Sequence, residues 1–124
     1  MRPSDVVSQF LLRQAAGDWE ACRGFLDEDM VRIGSDGQAC HGRATYLELL
    51  QQMHSEISEY DYQVQRMTEG VDGDVVLLEI VESARGTDGQ GLRLREAMVF
   101  QLSAAGRITE LRVYTATAPP APFT

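Results

Sequence analysis

The sequence lacks the features that mark several large classes of protein. It has no run of eighteen or more apolar residues, so no segment reads as a membrane-spanning helix. Met1-Arg2-Pro3-Ser4-Asp5 does not lead into an uninterrupted apolar stretch with a small-residue cleavage site, and no signal peptide is expected. Cysteine is scarce: Cys22 and Cys40 lack CxxC spacing and flanking ligands, and are expected as reduced, mostly packed thiols in a cytoplasm. His41 and His54 lack metal-ligand spacing and no facial triad is readable, so neither a metal nor a cofactor is expected. No Gly-rich phosphate loop, nucleophile elbow or internal repeat occurs. Positive charge is outweighed, with 11 Lys+Arg against 19 Asp+Glu, giving 11 − 19 = −8. That balance argues against nucleic acid and against anionic membrane surfaces as partners.

What is present suits one soluble globular domain: 124 residues, 44% hydrophobic and 24% charged. Ser4 is expected to cap a first helix whose apolar stripe is Val6, Val7, Phe10 and Leu11, and Gly17 ends it. Asp18 caps a second helix carrying Trp19, Cys22 and Leu26. Met30 to Ile33 reads as a short strand that turns at Ser35-Asp36-Gly37 into a return strand ending at His41-Gly42. A third helix runs from about Arg43 to Ser55, with Tyr46, Leu47, Leu50 and Met53 toward the core and His54 toward solvent. Four strands follow, near 58–68, 75–84, 92–102 and 107–115, joined by short glycine-containing turns as an antiparallel meander. Residues 1–115 thus form one domain, and 116–124, with Pro119, Pro120 and Pro122, an extended or flexible tail. The fold class is α+β: a curved antiparallel sheet wrapped around three helices of the N-terminal half, cone-shaped with an internal pocket.

Five landmarks carry a family resemblance: Ala16-Gly17-Asp18-Trp19, Leu26-Asp27-Glu28-Asp29-Met30-Val31, His41-Gly42-Arg43, Phe100-Gln101-Leu102 and Gly106-Arg107-Ile108-Thr109-Glu110. In this order the chain resembles the SnoaL-like branch of the nuclear transport factor 2-like superfamily, from about Val6 to Tyr114. That superfamily holds polyketide cyclases, ketosteroid isomerases, epoxide hydrolases and non-enzymatic binding domains, so fold transfers better than chemistry. The resemblance puts the ketosteroid isomerase oxyanion hole near Phe10 and Met98 and its base near Ile33 or Gly34, where the needed groups are absent. It puts the acids and arginine of limonene-type epoxide hydrolases near Glu82, Ile80 and Val113, keeping one carboxylate.

The residues themselves single out one acid. On the strand from Leu92 to Leu102 the even positions are apolar except Glu96. A carboxylate on that inward face has a raised pKa and suits acid–base work near neutral pH. Glu82 depends on register. An odd-numbered loop puts it beside Glu96, whereas a two-residue Asp88-Gly89 turn sets it against Arg95 outside and brings Glu79 inward. His41, before the third helix, is a candidate proton relay. Phe10, Trp19, Tyr46, Leu50, Met53, Tyr62, Met98, Phe100 and Val113 are candidates to line the pocket.

The resemblance implies a small-molecule pocket protein: a cofactor-independent cyclase or isomerase on an apolar, polycyclic or polyketide-like substrate; the reading of the residues makes Glu96 its proton-transfer group, with Glu82 or His41 assisting. A non-catalytic binding or dimerisation domain and an epoxide-hydrolase-like enzyme are the alternatives. Arg93, Arg95, Val99 and Arg112 mark the outer sheet face as the expected homodimer surface.

Overall fold

The computed structural model describes residues 1–116, and the tail assignment for 117–124 lies outside the described residues. Its elements are α1 (Pro3–Ala15), α2 (Trp19–Phe25), β1 (Leu26–Ile33), β2 (Ala39–His41), α3 (Arg43–Ser55), β3 (Ile57–Glu69), β4 (Val75–Gly86), β5 (Gly91–Leu102) and β6 (Ile108–Thr115). The strands form one sheet in the order β2-β1-β6-β5-β4-β3. Every pairing is antiparallel except β1 with β6, which is parallel. The meander from β3 to β6 is long enough to bring the chain back alongside β1 in the same direction, as a parallel pairing requires.

Two element starts differ from the sequence reading. α1 is capped by Arg2, not Ser4. Pro3 takes the first helical position, where its missing N–H costs nothing. Asp5 Oδ2 reaches back to the Arg2 amide at 3.2 Å. The Ser4 hydroxyl is thereby free to donate to Glu69 Oε1 at 2.7 Å. Strand β1 begins at Leu26 rather than Met30, because α2 passes straight into extended backbone and Leu26 pairs with Ile108.

All three helices lie on one face of the sheet. α1 buries Val6, Val7, Phe10 and Leu11, and α3 buries Tyr46, Leu47 and Leu50. The sheet meets them with Leu26, Met30, Val76, Leu78, Ile80, Phe100, Leu102, Ile108, Leu111 and Val113. Each such side chain contributes about 1.5–3 kcal/mol of burial. The period of two along β4 and β5 sends even-numbered residues inward and leaves Glu79, Arg93 and Arg95 outside.

Two irregularities shape the open end of this layer. β3 carries a bulge between Val64 and Arg66, so its inward set changes from Tyr60 and Tyr62 to Met67. Such a bulge bends the strand and increases its twist. The β4–β5 connection closes with Gly86 N–H to Gln90 O at 2.8 Å and Gly89 N–H to Gly86 O at 2.9 Å. Three residues, 87 to 89, therefore span the turn, and Gly89 takes a positive φ of 86°. This is a type I turn followed by a left-handed glycine, the common three-residue hairpin loop.

Candidate functional site

The odd loop length decides the placement of Glu82. With 87 to 89 in the turn, Glu82 pairs with Leu94 and Ile80 pairs with Glu96. Glu82 and Glu96 are thus diagonal neighbours on the inward face, and the Arg95 pairing does not form. The same registers put Glu82 opposite Tyr62, Tyr60 opposite Ala84, and Glu96 opposite Thr115. A polar row crosses the inner face of four strands near its open end: Tyr60, Glu82, Glu96, Thr115.

The row is connected. Tyr60 Oη donates to Glu82 Oε2 at 2.5 Å, and Thr115 Oγ1 donates to Glu96 Oε2 at 3.2 Å. Glu96 Oε1 is buried with no donor reaching it among the described residues. A buried acceptor left alone costs about 1–3 kcal/mol. A proton on Glu96 removes that cost, since the carboxylic acid then donates to the neighbouring Glu82 carboxylate. The pKa of Glu96 reflects the same arrangement. Burial raises it most, the hydrogen bond and charge of Glu82 raise it further, and Thr115 and Arg32 oppose them, leaving it at about 8. At neutral pH the pair holds one proton between two carboxyl groups. The Tyr60 phenol is pushed well above its usual range, first by burial and then by Glu82. Tyr46, buried beneath, is pushed up chiefly by burial, with Arg32 opposing and Glu82 adding.

Glu82 and Tyr60 face a cavity of about 60 Å³ between the sheet and the helices, lined also by Gln14, Trp19, Leu50, Met53, His54 and Ile57. Of the residues expected to line a pocket, Trp19, Leu50 and Met53 do so here. Phe10, Tyr46, Phe100 and Val113 are buried in the core instead, and Tyr62 and Met98 pack partly buried against it. Glu96 stands behind Glu82 on the next strand, β5, where it pairs with Ile80. His41 is exposed on the short strand β2, across from Val31, and makes no hydrogen bond to either carboxylate. Its ring lies at the other end of the strand order from β4, which accounts for that separation.

Two residues escaped the sequence reading. His54 does not face solvent: it is half-buried, lines the cavity, and meets Trp19 edge-to-face with ring centroids 5.3 Å apart at 87°. Its position on the third helix, eight residues after Tyr46 and four after Leu50, was the available signal, since those three share one helical face. Arg32 is half-buried opposite the core-packed Cys40, and its charge acts on both Glu96 and Tyr46. Its inward direction follows from the alternation that buries Met30 two residues earlier.

Among the described residues no three His, Cys, Asp or Glu side chains cluster as a metal site. No helix is long and apolar enough to cross a membrane.

Comparison with known proteins gives the fold a context. No curated protein sequence matches the chain. Solved structures superpose over most of its length, among them the following three. A proposed SnoaL-like polyketide cyclase from Shewanella denitrificans has a TM-score of 0.83 at 14% identity, covering 92% of this chain and 90% of the other. A proposed polyketide cyclase from Xanthomonas campestris has a TM-score of 0.77 at 26% identity, over 91% and 89%. An epoxide hydrolase of the LEH-like type from M. tuberculosis also scores 0.77, at 23% identity over 90% and 80%. The profile of the SnoaL-like domain matches residues 7–111, from the buried stripe of α1 to the middle of β6. The chain therefore belongs to the SnoaL-like domain family.

Proposed function

We propose that this protein is a cofactor-independent acid–base enzyme of cyclase or isomerase type, in which Glu82 exchanges a proton with the substrate and Glu96 behind it holds the shared proton. The buried, donorless Oε1 of Glu96 beside Glu82 carries this reading. A carboxyl pair with one proton sets a donor beside an acceptor, as proton transfer to and from a substrate requires. The substrate class is an apolar, polyketide-like carbonyl compound. A cavity of about 60 Å³ takes its reacting end, and the remainder lies over the rim formed by Trp19, Met53 and Ile57. Drug-sized ligands occupy roughly 300 Å³ or more. That small volume also favours a second reading, a binding domain without catalysis.

The two are separated by deuterium uptake at the α carbon of cyclohexanone in heavy water. Catalysis predicts uptake above buffer, reduced at least about tenfold in Glu82→Gln and in Glu96→Gln. Equal rates in all three proteins overturn the carboxyl-pair mechanism. Ketone-induced shifts of the Trp19 signals with no uptake favour the binding domain. The two free thiols, Cys22 buried and Cys40 half-buried, support a reducing compartment such as the cytoplasm. On the outer face, Leu77 and Tyr114 are exposed beside Glu79, Arg93 and Arg95. Apolar surface flanked by both charges suits a two-fold contact with a second copy, and sedimentation velocity should show a dimer that Leu77→Glu splits.

A further inference from the structure

We infer that His54 is a second catalytic residue, a proton donor on the helix side of the cavity facing the carboxyl pair on the sheet side. The inference rests on the acid–base reading of Glu82 and Glu96. Glu82, Tyr60 and His54 are the titratable side chains that line the cavity; Gln14 is its remaining polar group, and Trp19, Leu50, Met53 and Ile57 are its apolar walls. Glu82 and Tyr60 already engage each other. His54 has no hydrogen-bond partner among the described residues, although it is half-buried. Its ring is held instead by shape. Trp19 abuts it edge-to-face, and Gly17 lies against Nε2, where a Cβ would come within 3.2 Å. An imidazole fixed by packing at the cavity wall, with its polar capacity unused, is available to whatever enters the cavity.

The chemistry then divides between two walls. The Glu82 carboxylate takes a proton from the carbon next to a carbonyl. The C–H electron pair becomes the new C=C bond, and the carbonyl π pair moves to oxygen. His54 gives its N–H proton to that oxygen. The product is the enol; the pair has gained one proton and the imidazole has lost one. Return of a proton to the same carbon gives exchange, and return to a different carbon gives isomerisation. No redox partner is needed. A donor at the oxygen meets the requirement that developing negative charge be stabilised, which the carboxyl pair alone does not meet.

The test uses cyclohexanone and three proteins. His54→Phe keeps a ring against Trp19 and removes both nitrogens; His54→Ala opens space for added imidazole. Deuterium uptake should fall at least about tenfold in His54→Phe, and imidazole should restore part of the loss in His54→Ala. In the wild type, cyclohexanone should shift the His54 ring signals in a proton–nitrogen NMR spectrum. Wild-type uptake in His54→Phe, or unshifted His54 signals at saturating ketone, overturns the assignment. If Glu96→Gln abolishes uptake while His54→Phe does not, the carboxyl pair stands and His54 falls alone. If the wild type gives no uptake above buffer, both fall together.

Discussion

Replacing Glu96 by glutamine should make the protein more stable in alkali while leaving it nearly unchanged in acid. The amide has the shape of the protonated acid, and its N–H₂ can donate to Glu82 as the acid's O–H does. In the folded protein Glu96 keeps its proton up to about pH 8, whereas unfolding returns it to the ordinary value of 4.5. The folded state therefore binds more protons than the unfolded state between these values. Stability from this group is fully present below the lower value and is lost as pH rises through the higher one. The slope is about 1.4 kcal/mol per pH unit at most. Between about pH 5 and pH 8 that amounts to roughly 4 kcal/mol, and partial solvent screening of a half-buried group reduces it to about 2 kcal/mol. Urea unfolding at several pH values reads it directly. At pH 5 the two proteins should have similar midpoints, and at pH 8 the variant should unfold about 1 M higher for a slope near 2 kcal/mol/M. Other titrating groups are common to both proteins and cancel in the difference. Midpoints that run parallel across this range would refute the shared proton, because a Glu96 ionised throughout gives no pH-dependent gap.

Glu82→Gln should lower the pKa of Glu96 from about 8 toward the ordinary carboxylate range, since it removes the neighbouring negative charge. Burial alone should keep it somewhat raised, as a carboxyl carbon-13 titration would show; an unchanged value would mean that Glu82 is not the partner. The thiols should separate by accessibility. Burial pushes Cys22 up to about 11, so the native protein should react with a thiol reagent once, at Cys40, and twice only after unfolding.

Much of the fold was open to reading because the signals are local. The span Arg43 to Ser55, the Gly17–Asp18 junction and the alternation around Glu96 each depend on neighbours a few residues away. Glu82 was different. Its face depends on the parity of a loop, and Asp88-Gly89 fits both a two-residue turn and the last two positions of a three-residue one. Only the pairing of Gly86 with Gln90 separates these. The Tyr60–Glu82 bond is harder still, since it needs the β3–β4 register across 22 residues. His54 was misplaced because a polar residue in a last turn is ordinarily solvated, and nothing nearby in sequence announces the Trp19 edge that covers it. His41 shows the converse. A histidine at a helix entry looks close to the pocket mouth, but β2 lies on the sheet edge opposite β3, and the ring goes with it.

The strand order also bears on how the chain reaches this state. β6, the last strand to leave the ribosome, lies in the middle of the sheet between β1 and β5. Until it arrives, β1 and β2 have only each other as strand partners, and a two-stranded hairpin is marginal in water. Ser35, between them, completes the union late: its hydroxyl donates to Val113 O at 3.1 Å and accepts from Thr115 N–H at 2.6 Å, about eighty positions away. Pairings of such separation form slowly, because a long loop closes before any contact rewards it. The meander of β3, β4 and β5 is the part able to form first. The Thr115 hydroxyl, which meets Glu96 only when β6 docks, makes completion of the acid pair one of the last events of folding.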